Sequence, residues 1–194
     1  MNYLAHIYLS GEDDLITLGN FIADGVKGKD YLEYPEQWQR GILLHRAIDS
    51  YTDSHAVVRQ STSRLHSSYS HYSGVVVDMY YDHFLARYWE RYHRDPLDEY
   101  VDKFYDLLSA NEQMLPQRIQ RIMPHMMRDN WLMSYASLDG LGRILGQMDQ
   151  RTGGRSGMRG AIVELEAHYE EFHAEFRDFF DDLVIFSRNK LKTL

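Results

Sequence analysis

The stretch GILLHRAIDSYTDSH, residues 41 to 55, sets His45, Asp49 and Asp53 at four-residue intervals within an amphipathic pattern. Four residues of helix advance about 6 Å and return to nearly the same face, so His45 and Asp49 can grip one cation together. Asp53 lies about 12 Å from His45 along the same axis, too far to share that cation, and the shell has to be completed from elsewhere. A second acidic row, DMYYDHF, places Asp78 and Asp82 four apart with His83 directly after. Adjacent helical residues diverge by about 100°, which lets Asp82 and His83 straddle a cavity. Asp78 has the competing reading of a buried ion pair with Arg46 or Arg87. A third motif, GNFIADGVKG, carries Asn20 and Asp24 four apart beside a glycine-rich helix end. Asn20 can be a cap or a buried hydrogen-bonding side chain. Asp24 sits among Phe21, Ile22 and Val26, where an unpartnered carboxylate is costly. His6, within YLAHIYL, is a lone imidazole on an apolar stretch, either a hydrogen-bonded core residue or a ligand.

These residue types narrow the chemistry. The chain has no cysteine, which removes disulfides, zinc-thiolate sites and thiol nucleophiles and leaves histidine and carboxylate to hold any metal. No defensible Ser-His-Asp order, Walker-type loop or dinucleotide glycine fingerprint is present. Mixed His/Asp ligands with open positions suit Mn²⁺, Mg²⁺, Fe²⁺ or Zn²⁺, acting as Lewis acid and as a source of hydroxide. Spacing alone does not separate hydrolysis from redox chemistry.

The elements that must position these residues read as helices throughout, and an all-α, compact helical bundle in a single domain of 194 residues is the expectation. Ser10 can cap a helix over 12–26, with Asp13 three residues on and Gly25 and Gly28 at its end. Pro35 opens a helix ending near Thr52, and a short one covers 55–68. A long helix from 73 to 93 stops before the Asp95-Pro96 step, and Pro96 opens the next. Pro116 starts a helix over about 116–135 that Pro124 should break or kink. Residues 137–150 are helical, RTGGRSGMRG at 151–160 is a flexible basic loop, and a final helix runs over 158–188 with a core stripe from Leu165 to Phe180.

Twenty-nine acidic against twenty-one basic residues give a formal net charge of −8, which disfavours nucleic acid as a partner. No run approaches the roughly 18 apolar residues of a membrane span, and no basic leader precedes GEDD, so the expectation is a cytoplasmic protein without membrane contact.

Four stretches, MNYLAHIYLS, GNFIADGVKG, GILLHRAIDSYTDSH and DMYYDHFLARYW, together resemble the bacterial acyl carrier protein phosphodiesterases. The resemblance covers about the first ninety residues. It implies an HD-domain-like helical fold related to the HD phosphohydrolases, and removal of 4′-phosphopantetheine from holo acyl carrier protein with a divalent metal, Mn²⁺ or Mg²⁺. It falls on His6, Asn20, Asp24, His45, Arg46, Asp49, Asp53, Asp78, Asp82 and His83. The customary HD doublet is reversed here as Asp82-His83. On this reading His45, Asp49, Asp82 and His83 form the metal shell with His6 as a further candidate. Asp24 is an added ligand or orients a water, Arg46 neutralises phosphate, and Asp53 or Asp78 assists the leaving serine oxygen.

An acidic carrier meeting an acidic enzyme needs local positive charge, for which Lys27, Lys29, Arg40 and Arg59 are the nominees, with the arginines of 151–160 in reserve. Two competing readings are a helical-bundle metal oxidoreductase, which has only Glu170-x-x-His173 to offer as a paired motif, and a catalytically silent carrier-binding module.

Overall fold

In the computed structural model, which describes residues 1–194, the chain is helical and contains no strand. Helix α1 (Tyr3–Tyr8) is too short to show a helical period in the sequence. Helix α2 (Asp14–Ile22) is capped by Asp13, whose carboxylate accepts the Leu15 and Ile16 amides, and runs into a 3-10 turn at Ala23–Gly25. Ser10, the expected cap, instead donates its hydroxyl to the His6 carbonyl at 2.8 Å. Helix α3 (Glu36–Ser54) begins directly after Pro35, and α4 (Ala56–Tyr69) follows with one residue between.

Helix α5 (Ser73–Arg87) stops short of the expected residue 93 and gives way to a 3-10 turn at Trp89–Arg91. Helix α6 (Leu97–Ala110) starts after Pro96, and α7 (Gln117–Arg128) after Pro116. No break occurs at Pro124: α7 runs through it, and it lies on the exposed face, where water can take the carbonyl its ring frees. A left-handed Asn130 then turns the chain into α8 (Trp131–Ser134) and α9 (Leu138–Arg151). The expected final helix is divided at His168 into α10 (Ala161–Ala167) and α11 (Tyr169–Leu191).

The 151–160 segment, read as a flexible loop, is a tied turn. Ser156 donates to the buried Asp149 carboxylate at 2.7 Å, and the Thr152 hydroxyl donates to Ser156 at 3.0 Å. The aromatic stripe of α11 is core as expected, with Phe172, Phe176, Phe179 and Phe180 all fully buried against α3, α4 and α5. No helix is long and apolar enough to cross a membrane.

Helices α2 and α3 approach backbone to backbone. A Cβ on Gly41 would stand 2.1 Å from the Ile16 carbonyl oxygen and 2.6 Å from the Asn20 amide nitrogen. One on Gly19 would stand 2.2 Å from the Trp38 carbonyl oxygen. Backbone therefore lies on backbone, and only glycine fits at either position. Gly41→Ala should destabilise the fold by about 3 kcal/mol or more, the upper end for overpacking, because the clashing atoms are main chain and cannot swing aside. Urea denaturation followed by circular dichroism reads this. A stability within about 0.5 kcal/mol of wild type would show that the helices can separate freely.

Candidate metal centre

His6 from α1, Asn20 from α2, Asp24 from the turn after α2, and His45 and Asp49 from α3 meet at one end of the α2–α3 contact. The two imidazoles stack with centroids 3.8 Å apart and planes 18° from parallel. Beneath them the Asn20 side chain is held in one orientation, its amide nitrogen donating to the His6 carbonyl and to the Ser10 hydroxyl, each at 2.9 Å. Its Oδ1 must then accept, and it stands 2.9 Å from His6 Nδ1 and 3.2 Å from His45 Nδ1. Both rings carry hydrogen at Nδ1, and both turn Nε2 the other way.

On that side the carboxylates wait. His6 Nε2 is 3.3 Å from Asp49 Oδ1, and His45 Nε2 is 3.1 Å from Asp49 Oδ2 and 3.3 Å from Asp24 Oδ1. The donor atoms of His6, His45 and Asp49 all lie within 4.8 Å of one another, a group able to hold a metal ion. Asp24, the more exposed carboxylate, is placed to complete it. The electrostatics point the same way. Burial and the charge of His45 push His6 down to about 4, so at neutral pH its Nε2 offers a lone pair to the Asp49 carboxylate. Two electron-pair donors facing each other call for a cation between them. In the metal-free chain a proton on His45 serves: although burial opposes its charge, the hydrogen bonds it donates to Asp24 and Asp49 raise it to about 9. His45 in turn lowers Asp24 and holds Asp49 far below the usual carboxylate range against the cost of its burial.

Asp82 and His83, expected in the shell, stand apart from it. The Asp82 carboxylate is fully buried and accepts the backbone amides of Asn2, Leu4 and Ala5 at 3.1, 2.8 and 3.4 Å. It therefore caps α1 and fixes the helix that presents His6. Burial pushes its carboxyl up to about 7 in spite of those amides. His83 turns away, with Nδ1 2.7 Å from the Tyr135 carbonyl and Nε2 3.2 Å from the Tyr169 hydroxyl. Both of its nitrogens are engaged there.

Asp53 and Asp78 reach the cavity beside the cluster, as do residues for which the sequence carried no signal. Asp78 is bonded to the Met1 amino group at 2.8 Å. Arg46 faces away, its guanidinium donating to the Val26 carbonyl at 3.2 Å and lying over the Tyr31 ring. Of the nominated docking residues, Arg40 donates to the Leu191 carbonyl and Arg59 to that of Ser54, while Lys27 and Lys29 stay exposed just past Asp24. Glu170 and His173 lie outside the cavity, His173 stacking on Tyr88 at 4.3 Å. The cavity measures about 490 Å³, and Phe21, Met79, Trp131, Ile144 and Met148 give it an apolar side. Arg118 and Arg151 supply its two arginines. A cavity of this size, part apolar and part polar, suits a small molecule or an extended arm.

The family described as acyl carrier protein phosphodiesterase matches residues 1–183. A protein of that name from Pectobacterium atrosepticum is 31% identical over 95% of this chain and 96% of its own length. Ones from Photorhabdus laumondii and Yersinia pestis are 30% and 28% identical over 98% of this chain and 96% and 99% of theirs. No solved structure matches the chain.

The raised His45 fixes the sign of a pH dependence. With a folded-state value of about 9 against 6.5 unperturbed, its contribution to stability is complete below about pH 6.5 and is lost as pH rises through 9. Metal binding must displace that proton, so Mn²⁺ affinity should rise over the same range, with about one proton released per ion at neutral pH. Calorimetry in buffers of different ionisation enthalpy counts the protons. Binding without proton release, or tighter binding at pH 6 than at pH 8, would contradict the assignment.

Proposed function

The chain belongs to the acyl carrier protein phosphodiesterase family, and from that premise we propose that it is a metal-dependent hydrolase of the phosphodiester joining 4′-phosphopantetheine to a serine of holo acyl carrier protein. The observation that carries the metal dependence is the convergence of His6, His45 and Asp49 within 4.8 Å on a cavity, with Asn20 fixing both rings from behind. Two imidazoles among carboxylates favour Mn²⁺ over Mg²⁺, which prefers an all-oxygen shell. The HD-type relation rests on the motifs; the donors here are spread as His6, Asp24, His45 and Asp49, without a His-Asp doublet.

A divalent cation held by these residues supplies Lewis-acid polarisation of phosphoryl oxygen and a water acidic enough to act as nucleophile near neutral pH. The remaining steps fall to the chain. The Asn20 oxygen keeps both Nδ1–H groups occupied, so neither ring can turn its lone pair away. Asp24, with its carboxylate about half exposed to the cavity and Oδ1 turned to His45, accepts a proton from the attacking water at Oδ2. Attack breaks the bond between phosphorus and the serine oxygen. That oxygen takes up a proton and leaves as the alcohol of the apo carrier, while phosphate stays on the pantetheine. The apolar side of the cavity accommodates the pantetheine arm.

His45→Ala and Asp49→Ala should each lower turnover of holo carrier by at least about 100-fold and reduce bound Mn²⁺ while keeping the helical spectrum. Mass spectrometry of the carrier reads the turnover, as loss of the prosthetic group's mass. Wild-type turnover in either variant would remove that residue from the site.

Lys27 and Lys29 remain the exposed candidates for meeting an acidic carrier. Their joint replacement by Ala should raise the carrier's KM several-fold at low salt and leave kcat unchanged, with the difference shrinking as salt is added. A KM equal to wild type at low salt would place docking elsewhere.

A further inference from the structure

The cavity contains four carboxylates, those of Asp24, Asp49, Asp53 and Asp78, and two arginines that pair with none of them. Each arginine is kept in place by something other than an acid. Arg118, on the first turn of α7, donates Nη1 to the main-chain carbonyl of Asp24 at 3.2 Å, the same residue whose side chain faces His45. Arg151, at the end of α9, lies with its guanidinium 5.4 Å from the centre of the Trp131 ring. Both are exposed, and neither has a further protein partner for its remaining N–H groups. Guanidinium groups beside carboxylates ordinarily collapse onto them. A carbonyl and an aromatic face hold these two back and leave the donor forks free.

They also share one cavity. Tyr3, Asp24, Arg118 and Arg151 all line it, so α1, the turn after α2, α7 and α9 each contribute to the space beside the His–Asp group. We propose that Arg118 and Arg151 form an anion subsite adjoining the His–Asp cluster, which takes the non-bridging oxygens of a phosphate ester. The inference rests on the phosphodiesterase reading for its substrate. Its geometry stands without it. A phosphate ester fits better than a carboxylate because its oxygens can be shared between two forks and a cation on different walls, and planar forks match that arrangement. In a cavity that is otherwise acidic, these arginines let an anion enter at all.

The test needs no turnover. Trp131 is the only one of three tryptophans in the cavity, the others, Trp38 and Trp89, being buried in the core, so its fluorescence should report an anion drawing Arg151 off its ring. Inorganic phosphate is titrated into the full chain without added metal, at constant ionic strength. Wild type should show a saturable change, and calorimetry of the same titration, a readout that does not depend on Arg151, should show phosphate binding weakened by about tenfold or more in R118A/R151A. R118K/R151K should recover only part, since charge returns without the fork. Neutralising Lys190 and Lys192 on the far end of α11 should change nothing. The same arginine variants, loaded with Mn²⁺, should lose at least about tenfold in kcat/KM for holo carrier with metal content intact. Equal phosphate affinity in wild type and R118A/R151A, or full retention of kcat/KM, would overturn the subsite. Arginine-dependent phosphate binding in a protein that leaves holo carrier unchanged would uphold the subsite and overturn the phosphodiesterase reading instead.

Discussion

Everything at the centre depends on how closely α2 and α3 approach. Gly19 and Gly41 let one backbone lie on the other, and the consequence is local and immediate: Asn20 follows Gly19 in the chain, and His45 stands one helical turn beyond Gly41. At that separation one short amide side chain can serve His45 across the interface while also receiving His6 from α1. Any side chain between the helices would lift His45 off Asn20, and the two Nε2 atoms would no longer share a target. The apolar core secures the helices. The glycines set the distance at which chemistry becomes available.

The charges are arranged on the same principle of constraint from outside. Asp82 is spent on three amides of α1 and Asp78 on the Met1 amino group. What remains unspent is a set of donors aimed at one space, the imidazole lone pairs and the Asp49 and Asp24 carboxylates, which repel one another unless a cation lies among them. A proton on His45 satisfies the metal-free chain, and a divalent ion would satisfy it more fully. A site of this kind would be costly to fold empty, and a bound ion would raise stability through the same side chains.

The sequence made the pairs on one helix legible and left those between helices hidden. His45 and Asp49 could be read from their spacing, and helix starts at Pro35, Pro96 and Pro116 from the rigidity of proline. The partnership of His6, Asn20 and Asp24 with them required the α2–α3 and α1–α2 contacts, which no local period encodes. Asp82 shows the converse. Its place beside a histidine suggested a ligand, yet its partners are amides about eighty residues away, and only the fold brings a helix N-terminus to it. Arg46 sits beside His45 in sequence but on another face, while Arg118 and Arg151 enter the cavity from the second half of the chain. Pro124 leaves its helix unbroken and the glycine-rich 151–160 segment is a tied turn because solvent exposure and the buried Asp149 decide their structure, and neither is a property of the local sequence.

The proposed site would hold one cation between the Nε2 atoms of His6 and His45 and the carboxylates of Asp49 and Asp24, with Asn20 behind. Crystals grown with Mn²⁺ and measured near the manganese absorption edge test it directly. An anomalous peak is expected about 2.1–2.3 Å from His6 Nε2, His45 Nε2 and an Asp49 oxygen, with Asp82 still capping α1. A peak on Asp82 and His83, or none in the cavity at saturating Mn²⁺, would contradict it.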